Sequence, residues 1–257
     1  MLLAINANNT NVKFAVYDGE KPVGDWRIKT EVGRTADQYV VWLNQLMMMN
    51  GLELKAIDSA IIASVVPHSL FDLTKLCEHH LKTKPLVVGD PAVKLGIQVK
   101  MDIPSATVGG DRLANAVGGH IAYRKPLIVV DFGTATTFDV VDGEGNYLGG
   151  AISPGINLSV EILHSATAML PRIAVERPVR VIGKSTTEAM QSGIFWGYVG
   201  LVEGMVQRIA REFGSDLAVI ATGGLAPLFV GATSVLHHLD PDITMRGLVE
   251  IYRRNRV

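Results

Sequence analysis

Two distant stretches of this chain resemble each other, and this internal repeat limits the folds open to the chain more than any other feature. The stretches are LLAINANNTNVKFAVYDGE, starting at residue 2, and LIVVDFGTATTFDVVDGEG, starting at residue 127. In each, an apolar strand enters a turn of small polar residues, and an alternating strand then runs to an Asp-Gly turn. Asn6 lies opposite Asp131, and Asn8 lies opposite Gly133. Such a unit at the head of two comparable halves predicts a duplicated domain.

The rest of the chain indicates the α/β class. Short β-branched runs at 2–5, 60–66, 86–89, 127–130 and 217–221 alternate with longer segments of helical spacing. One such segment, TADQYVVWLNQLMMM, begins at Thr35, a good N-cap residue. Strands that alternate with helices predict a parallel or mixed sheet. We expect domains at 1–117 and 118–257, with a cleft between the two copies.

Composition excludes several functional classes. The chain has 257 residues, of which 48% are hydrophobic and 19% charged, a globular profile. A formal net charge of −1 provides no basic field for nucleic acid. Apolar runs such as PLIVV are far shorter than the roughly 18 residues of a membrane span. The N-terminus enters a strand pattern directly and shows no secretion signal, so we expect a cytoplasmic protein.

The turn after the strand LIVVD is the strongest local signal of chemistry. An aspartate that ends a buried strand needs a cation or hydrogen-bond donors, and this position is Asp131. Gly133 permits close approach of the backbone, and Thr134 offers a hydroxyl to phosphate oxygens. A hairpin turn with a local Asx bond explains the same residues. The residues alone leave both interpretations open.

The stretch VGGDRLANA places Asp111 at the start of a predicted helix. Acidic residues are favoured there by capping and by the helix dipole. Asp111 beside Arg112, behind two glycines, also fits a group that takes a proton from a hydroxyl and holds an anion. Here too the structural and the functional interpretation both stand.

Glycine patterns mark three further stretches. GGAISPGI and ATGGLA, starting at residues 149 and 221, are typical of glycine-rich turns after strands. GKSTTEAM ends like a Walker A loop but has Pro178 where that motif needs glycine. We therefore expect it to cap a long helix that opens at Thr186 or Thr187. Gly193, Gly197, Gly200 and Gly204 fall close to one face of that helix, as in a tight helix–helix contact.

Taken in order, these motifs resemble the type III pantothenate kinase family. The stretches that carry the resemblance are the first turn NxxNTN, GGDRLANA, VVDFGTATTFD, GGAISPGI, GKSTTEAMQSG, ATGGLA and the closing ITMRGL. The resemblance implies an actin-like fold of two ribonuclease-H-like domains. It further implies a transferase that phosphorylates pantothenate with ATP and Mg²⁺ in the first step of coenzyme A biosynthesis. A monovalent cation, K⁺ or NH₄⁺, and a homodimer are implied as well.

The resemblance also assigns roles to single positions. It implies that Asp111 is the catalytic base, that Gly109, Gly110 and Arg112 contact pantothenate, and that Thr186 does so near the dimer interface. Asp131 matches the carboxylate of the monovalent-cation site, and Thr134 matches an ATP-contacting threonine. The positions matched to ATP binding in the first turn are Asn6, Ala7, Asn8, Asn9, Thr10, Asn11, Val12 and Lys13.

Three positions depart from the family's pattern. Asn6 replaces an aspartate, Asn8 replaces a glycine and Met101 replaces a pocket-lining tyrosine. Loss of such an electrostatic contact commonly costs ~10²–10³ in rate. A second hypothesis is therefore a weakened or inactive relative that binds nucleotide and serves as a regulatory or structural protein.

Overall fold

A computed structural model describes residues 1–104, 107–166 and 170–256. The strands are β1 (Leu2–Ala7), β2 (Asn11–Asp18), β3 (Lys21–Lys29), β4 (Ser59–Ser64), β5 (Leu86–Val87), β6 (Leu127–Phe132), β7 (Ala135–Val141), β8 (Tyr147–Pro154), β9 (Ala218–Thr222) and β10 (His238–Leu239). The α-helices are α1 (Ala36–Met49), α2 (Pro67–Lys75), α3 (Gly110–Tyr123), α4 (Ile156–Ser165), α5 (Thr186–Phe213), α6 (Ala226–Val230) and α7 (Ile243–Asn255).

The described residues form two compact units. The first comprises Met1–Ala122 and Asp242–Val257, and the second comprises Tyr123–Pro241. These units divide the chain elsewhere than the ranges 1–117 and 118–257, because residue 117 lies within α3 and because α7 packs with β1 and β4 of the first unit. A sequence repeat locates the start of each copy, whereas the return of a terminal helix depends on long-range packing.

The first unit contains a mixed sheet in the order β3-β2-β1-β4-β5. β1 pairs antiparallel with β2 and parallel with β4. Alternate residues of β1, among them Leu3 and Ile5, join a buried core with Tyr39 and Leu43 of α1. The predicted N-cap at Thr35 is confirmed, since Thr35 and Gln38 form a reciprocal capping box.

Helices α3 and α7 of the first unit pack with their backbones unusually close. A Cβ at Gly118 would lie 2.1 Å from the carbonyl oxygen of Ile243, and one at Gly247 would lie 1.9 Å from that of Ala114. Only glycine allows this approach at either position. The hydroxyl of Thr244 also donates a buried hydrogen bond of 2.6 Å to Oδ1 of Asn115. This explains the glycine in the closing motif ITMRGL.

The second unit repeats the plan of the first. Its sheet has the order β10-β9-β6-β7-β8, in which β6 pairs antiparallel with β7 and parallel with β9. Asp131 is the fifth residue of β6, as Asn6 is the fifth residue of β1. The repeat seen in the sequence therefore corresponds to a repeat of strand order and direction.

One local expectation needs correction, and another is confirmed. GGAISPGI is largely strand rather than turn, because β8 continues to Pro154 in register with β7. The helix α5 opens at Thr186 as expected, and the capping residue within GKSTTEAM is Ser185, whose hydroxyl accepts from the backbone N–H of Glu188. No helix in the described ranges is both long and apolar enough to cross a membrane.

Candidate active site

The turn between β1 and β2 is closed by its own backbone and by the end of β3. The N–H of Asn8 donates to the carbonyl oxygen of Asn11 at 3.0 Å. The hydroxyl of Thr30 donates to the carbonyl oxygen of Asn8 at 2.6 Å, and the N–H of Thr30 donates to that of Thr10. The exposed tip of this turn, residues 9–11, is thus held in a fixed shape.

Two amide oxygens in this turn are buried without hydrogen bonds. Oδ1 of Asn6 and Oδ1 of Asn8 have no partner among the described residues, and Asn6 is only 7% exposed. A buried polar atom in that state costs about 1–3 kcal/mol. Asn8 is absent from the residues with positive φ, so the side chain is accommodated without left-handed backbone. The two oxygens are free to accept a ligand.

The segment 109–112 begins α3 and places Asp111 in the first helical turn, as expected. Oδ1 of Asp111 accepts from the N–H of Arg112 at 2.8 Å. Burial raises the pKa of the Asp111 carboxyl above its usual range, while the N–H and the charge of Arg112 oppose that shift. Desolvation is the largest cause, so the ionised carboxylate is a stronger base than an exposed aspartate.

Asn6, Lys13 and the start of α3 share one face of the first sheet. Asn6 is directly paired with Lys13 on β2 and with Ala63 on β4. A Cβ on Gly110 would lie 3.3 Å from the Cβ of Ala63, so α3 begins on the face to which these side chains point. The structure thus brings together two sequence-predicted groups, the first turn and the base-bearing segment.

The turn between β6 and β7 contains Asp131 and Thr134 in the second unit. A Cβ at Gly223 would lie 2.5 Å from Oδ1 of Asp131, and one at Gly155 would lie 2.2 Å from the carbonyl oxygen of Thr134. Gly223 has φ +91°, so the turn predicted at ATGGLA is present. Glycines from both flanking stretches therefore let the backbone pack directly against this second turn. The sequence marked these glycines but gave no sign that they meet here.

Thr186 is exposed at the first position of α5, in the second unit. The same helix presents glycines to open space, since a Cβ at Gly193, Gly197 or Gly200 would meet nothing within 4 Å in the described part of the chain. The tyrosine Tyr198 on its other side hydrogen-bonds to Thr136 of β7. The α5 helix is therefore anchored on one face and uncovered on the other.

Two carboxylates beside Lys13 were not predicted from the sequence. The Lys13 ammonium lies 3.0 Å from Oδ2 of Asp25 on β3 and 3.4 Å from Oδ1 of Asp242 before α7. Asp242 is distant from Lys13 in the sequence, and no local pattern links them. Only the return of α7 to the first unit brings them together.

Oxygen donors here suit a nucleotide-bound Mg²⁺ rather than a metal held by protein alone. No group of three or more His, Cys, Asp or Glu side chains in the described residues could hold a metal ion. Mg²⁺ commonly takes one or two protein oxygens and completes its shell with substrate phosphates and water. The orphaned oxygens of Asn6 and Asn8 fit that role.

Comparison with known proteins identifies the family. The family model of type III pantothenate kinase matches residues 2–208. The chain is 62% identical over 255 residues to a type III pantothenate kinase of Paramagnetospirillum magneticum, covering 99% of this chain and 98% of the relative. The chain belongs to the type III pantothenate kinase family. A second member of that family, from Rhodospirillum rubrum, is 59% identical over 256 residues and covers 100% of this chain and 99% of its own.

Solved structures place this type III pantothenate kinase family member in the actin-like fold. The activator of the 2-hydroxyisocaproyl-CoA dehydratase from Clostridium difficile, solved with bound ADPNP, has a TM-score of 0.57 at 12% identity, covering 99% of this chain and 96% of its own. Component A of the (R)-2-hydroxyglutaryl-CoA dehydratase from Acidaminococcus fermentans has a TM-score of 0.53 at 13% identity, covering 98% and 96%. At such identities the likeness concerns the fold alone. The expected α/β, actin-like fold class is confirmed.

Proposed function

We propose that this protein is a pantothenate kinase that transfers the γ-phosphoryl group of ATP to the primary hydroxyl of pantothenate. The products are ADP and 4′-phosphopantothenate, as in the first step of coenzyme A biosynthesis. Membership of the type III pantothenate kinase family supports the reaction. The observation that carries the mechanism is the desolvated carboxyl of Asp111 at the start of α3.

Asp111 is the proposed general base. Its carboxylate takes the proton of the pantothenate hydroxyl as the hydroxyl oxygen bonds to the γ-phosphorus. At the same time the bond between the γ-phosphorus and the oxygen that links it to the β-phosphate breaks, and ADP leaves with that oxygen. A base held near the nucleophile contributes about 10²–10⁴-fold in such reactions. A Cβ at Gly109 would lie 2.7 Å from Oδ1 of Asp111, so glycine at this position keeps the carboxylate uncrowded. Gly109 and Gly110 are proposed substrate contacts, and the guanidinium of Arg112 is a fitting partner for the pantothenate carboxylate.

The first turn is the proposed binding site of the ATP phosphates. Within residues 6–13, the exposed tip 9–11 and the ammonium of Lys13 are the proposed phosphate contacts, and Asn6 and Asn8 are the proposed oxygen ligands of Mg²⁺. The ion neutralises charge on the transferring phosphates. Because both asparagine side chains are neutral, they position the ion but offset less of its positive charge than carboxylates would.

In the second unit, Asp131 is the proposed ligand of a monovalent cation, K⁺ or NH₄⁺, and Thr134 is a proposed ATP contact. The resemblance supports both roles, together with the close packing of Gly155 and Gly223 against this turn, which a Cβ at either position would prevent. The measurement is activity in K⁺, NH₄⁺ and Na⁺ buffers, where Asp131→Asn should remove the preference for one cation. A cation preference that survives in Asp131→Asn would place the ion elsewhere.

We further propose a homodimer in which a second copy covers the glycine face of α5. The resemblance implies a dimer, and the open face at Gly193, Gly197 and Gly200 offers a surface for close helix packing. Gly197→Arg should convert a dimer to monomers in sedimentation analysis. It should also weaken pantothenate binding if Thr186 completes the pocket across the interface. We also propose that the protein acts in the cytoplasm, which its family membership supports. The internal repeat supports two duplicated domains at 1–117 and 118–257, with α7 of the second copy returning to pack with β1 and β4 of the first.

The deciding experiment measures pantothenate-dependent ADP release with Mg²⁺ and K⁺ and identifies 4′-phosphopantothenate by mass. The native protein is compared with the Asn6→Asp, Asn8→Gly double variant, and Asp111→Asn is the blank. Native turnover well above the blank establishes the kinase and shows that the altered turn is tolerated. Turnover in the double variant alone would mean that the protein has the kinase fold but that the residues of its first turn prevent catalysis. An absence of turnover in both proteins would refute the assignment as a pantothenate kinase.

A further inference from the structure

The ammonium of Lys13 is enclosed by carboxylates from two separate elements. Its Nζ lies 3.0 Å from Oδ2 of Asp25 and 3.4 Å from Oδ1 of Asp242. The Lys13 side chain is 14% exposed, whereas those of Asp25 and Asp242 are 55% and 66% exposed. Both carboxylates thus reach from solvent towards a largely buried cation.

The side chain of Asp242 does not cap α7 but contacts Lys13. An aspartate at an N-cap ordinarily accepts hydrogen bonds from the N–H groups of the first turn. Asp242 is the N-cap of α7 but makes no such side-chain bond within the described residues. Its Oδ1 accepts from the Lys13 ammonium instead.

Asp25 reaches Lys13 across the β2–β3 pair. Lys13 is paired with Arg27 and Asp25 with Ala15, so Asp25 is the diagonal neighbour of Lys13 on the same sheet face. These groups and Tyr17 line a cavity of about 600 Å³ in the first unit. Lysine has many rotamers and loses much freedom when it is fixed in one of them.

We propose that Asp25 and Asp242 are positioning residues for nucleotide binding, which hold the Lys13 ammonium in place before the phosphates of ATP arrive. This inference rests on the proposed role of Lys13 in the phosphate turn. Ordering the lysine in the free protein lowers the entropy that nucleotide binding must remove. The two carboxylates act through Lys13 and make no contact with the nucleotide.

The test is a set of double-mutant cycles read by calorimetric titration with Mg²⁺ and a non-hydrolysable ATP analogue. Asp25→Asn and Asp242→Asn should each raise the Kd by about three- to ten-fold, the scale of freeing one ordered side chain. In a Lys13→Met background the same changes should leave the Kd unaltered. Asp242→Glu, which keeps the carboxylate, should bind like the native protein. Glu53→Gln, which removes an exposed carboxylate paired with Lys55, is the matched control.

Kinetics supply a second readout that a merely structural role would not move. KM for ATP should rise in parallel with Kd, while KM for pantothenate stays unchanged. Thermal denaturation verifies that each variant is folded. If the native protein binds the analogue with the expected coupling but does not phosphorylate pantothenate, the proposed function fails and the positioning role stands.

Two results would overturn the inference. Tighter nucleotide binding in the Asn variants would show that the carboxylates compete with the phosphates for Lys13. A loss that persists in the Lys13→Met background would show that they act independently of the lysine.

Discussion

Gly247→Ala is the substitution whose effect the structure determines most sharply. The new Cβ would lie 1.9 Å from the Ala114 carbonyl oxygen and 2.7 Å from its carbonyl carbon. Close C–H···O contacts lie at about 3.3–3.6 Å, so α3 and α7 would have to separate by more than about 1 Å. Gly118 makes the reciprocal contact with Ile243, which prevents either helix from tilting away without loss of packing.

Two opposing effects decide the stability of this variant. Alanine in a helix interior is favoured over glycine by about 0.8–1.0 kcal/mol. Overpacking costs about 1–3 kcal/mol and more where backbone must move, and here the obstacle is backbone. We therefore expect a net loss of about 2 kcal/mol in the free energy of unfolding.

The same displacement should reduce activity. Helix α3 carries Asp111 in its first turn, so moving the helix moves the proposed base. A misplacement of about 1 Å can cost about 10²-fold in rate. Urea unfolding gives the stability, and steady-state kinetics under conditions where the variant is folded give kcat.

Arg253→Ala is the control, because this side chain is exposed on the same helix and should change stability by less than about 0.5 kcal/mol. A Gly247→Ala variant as stable as the native protein, or more so, would refute the close packing of α3 and α7. A destabilised variant with native kcat would show that the placement of Asp111 does not depend on that packing.

Three further predictions follow from the pKa shifts. Because burial raises the pKa of Asp111, kcat should fall with decreasing pH through a value above the usual aspartate range, and Arg112→Gln should move that acid limb to higher pH in pH–rate profiles. The raised pKa of Asp111 also means that the folded state binds more protons than the unfolded state, so the ionised carboxylate lowers the free energy of unfolding. Asp111→Asn should therefore raise the free energy of unfolding at neutral pH in urea unfolding. This gain should vanish as the pH falls below the pKa of aspartate in the unfolded chain. Burial raises the pKa of the Cys77 thiol to about 12, so iodoacetamide at pH 8 should label Cys77 only in denaturant.

Local sequence rules predicted those parts of the fold that depend on neighbouring residues. The N-cap at Thr35 and the opening of α3 before Asp111 both follow from side chains within one helical turn. The two polar turns were recognisable because each repeats a strand–turn–strand pattern. Asn6 and Asp131 occupy equivalent positions in their sheets for the same reason.

Other features depend on tertiary contacts that no local pattern encodes. The strand β8 extends through glycines that resemble a turn, because pairing with β7 overrides the weak strand preference of glycine. Gly247 appears unremarkable in ITMRGL until α7 is seen against Ala114. The partners of Lys13 come from β3 and from the residue before α7, so only the folded first unit reveals them.

The first turn and the Lys13 cluster have to be interpreted together. Asn6 is directly opposite Lys13 in an antiparallel pair, where Cβ atoms lie about 4.5–5.5 Å apart. An aspartate at position 6 would therefore add a third carboxylate to a lysine that already has two. A neutral Asn6 leaves the ammonium to Asp25 and Asp242 and keeps its own oxygen available for a cation. Because residues that share a partner do not act additively, Asn6→Asp should affect nucleotide binding differently in the native and Asp242→Asn backgrounds. Asparagine at position 6 thus changes the charge balance around Lys13 as well as the charge of the proposed Mg²⁺ site.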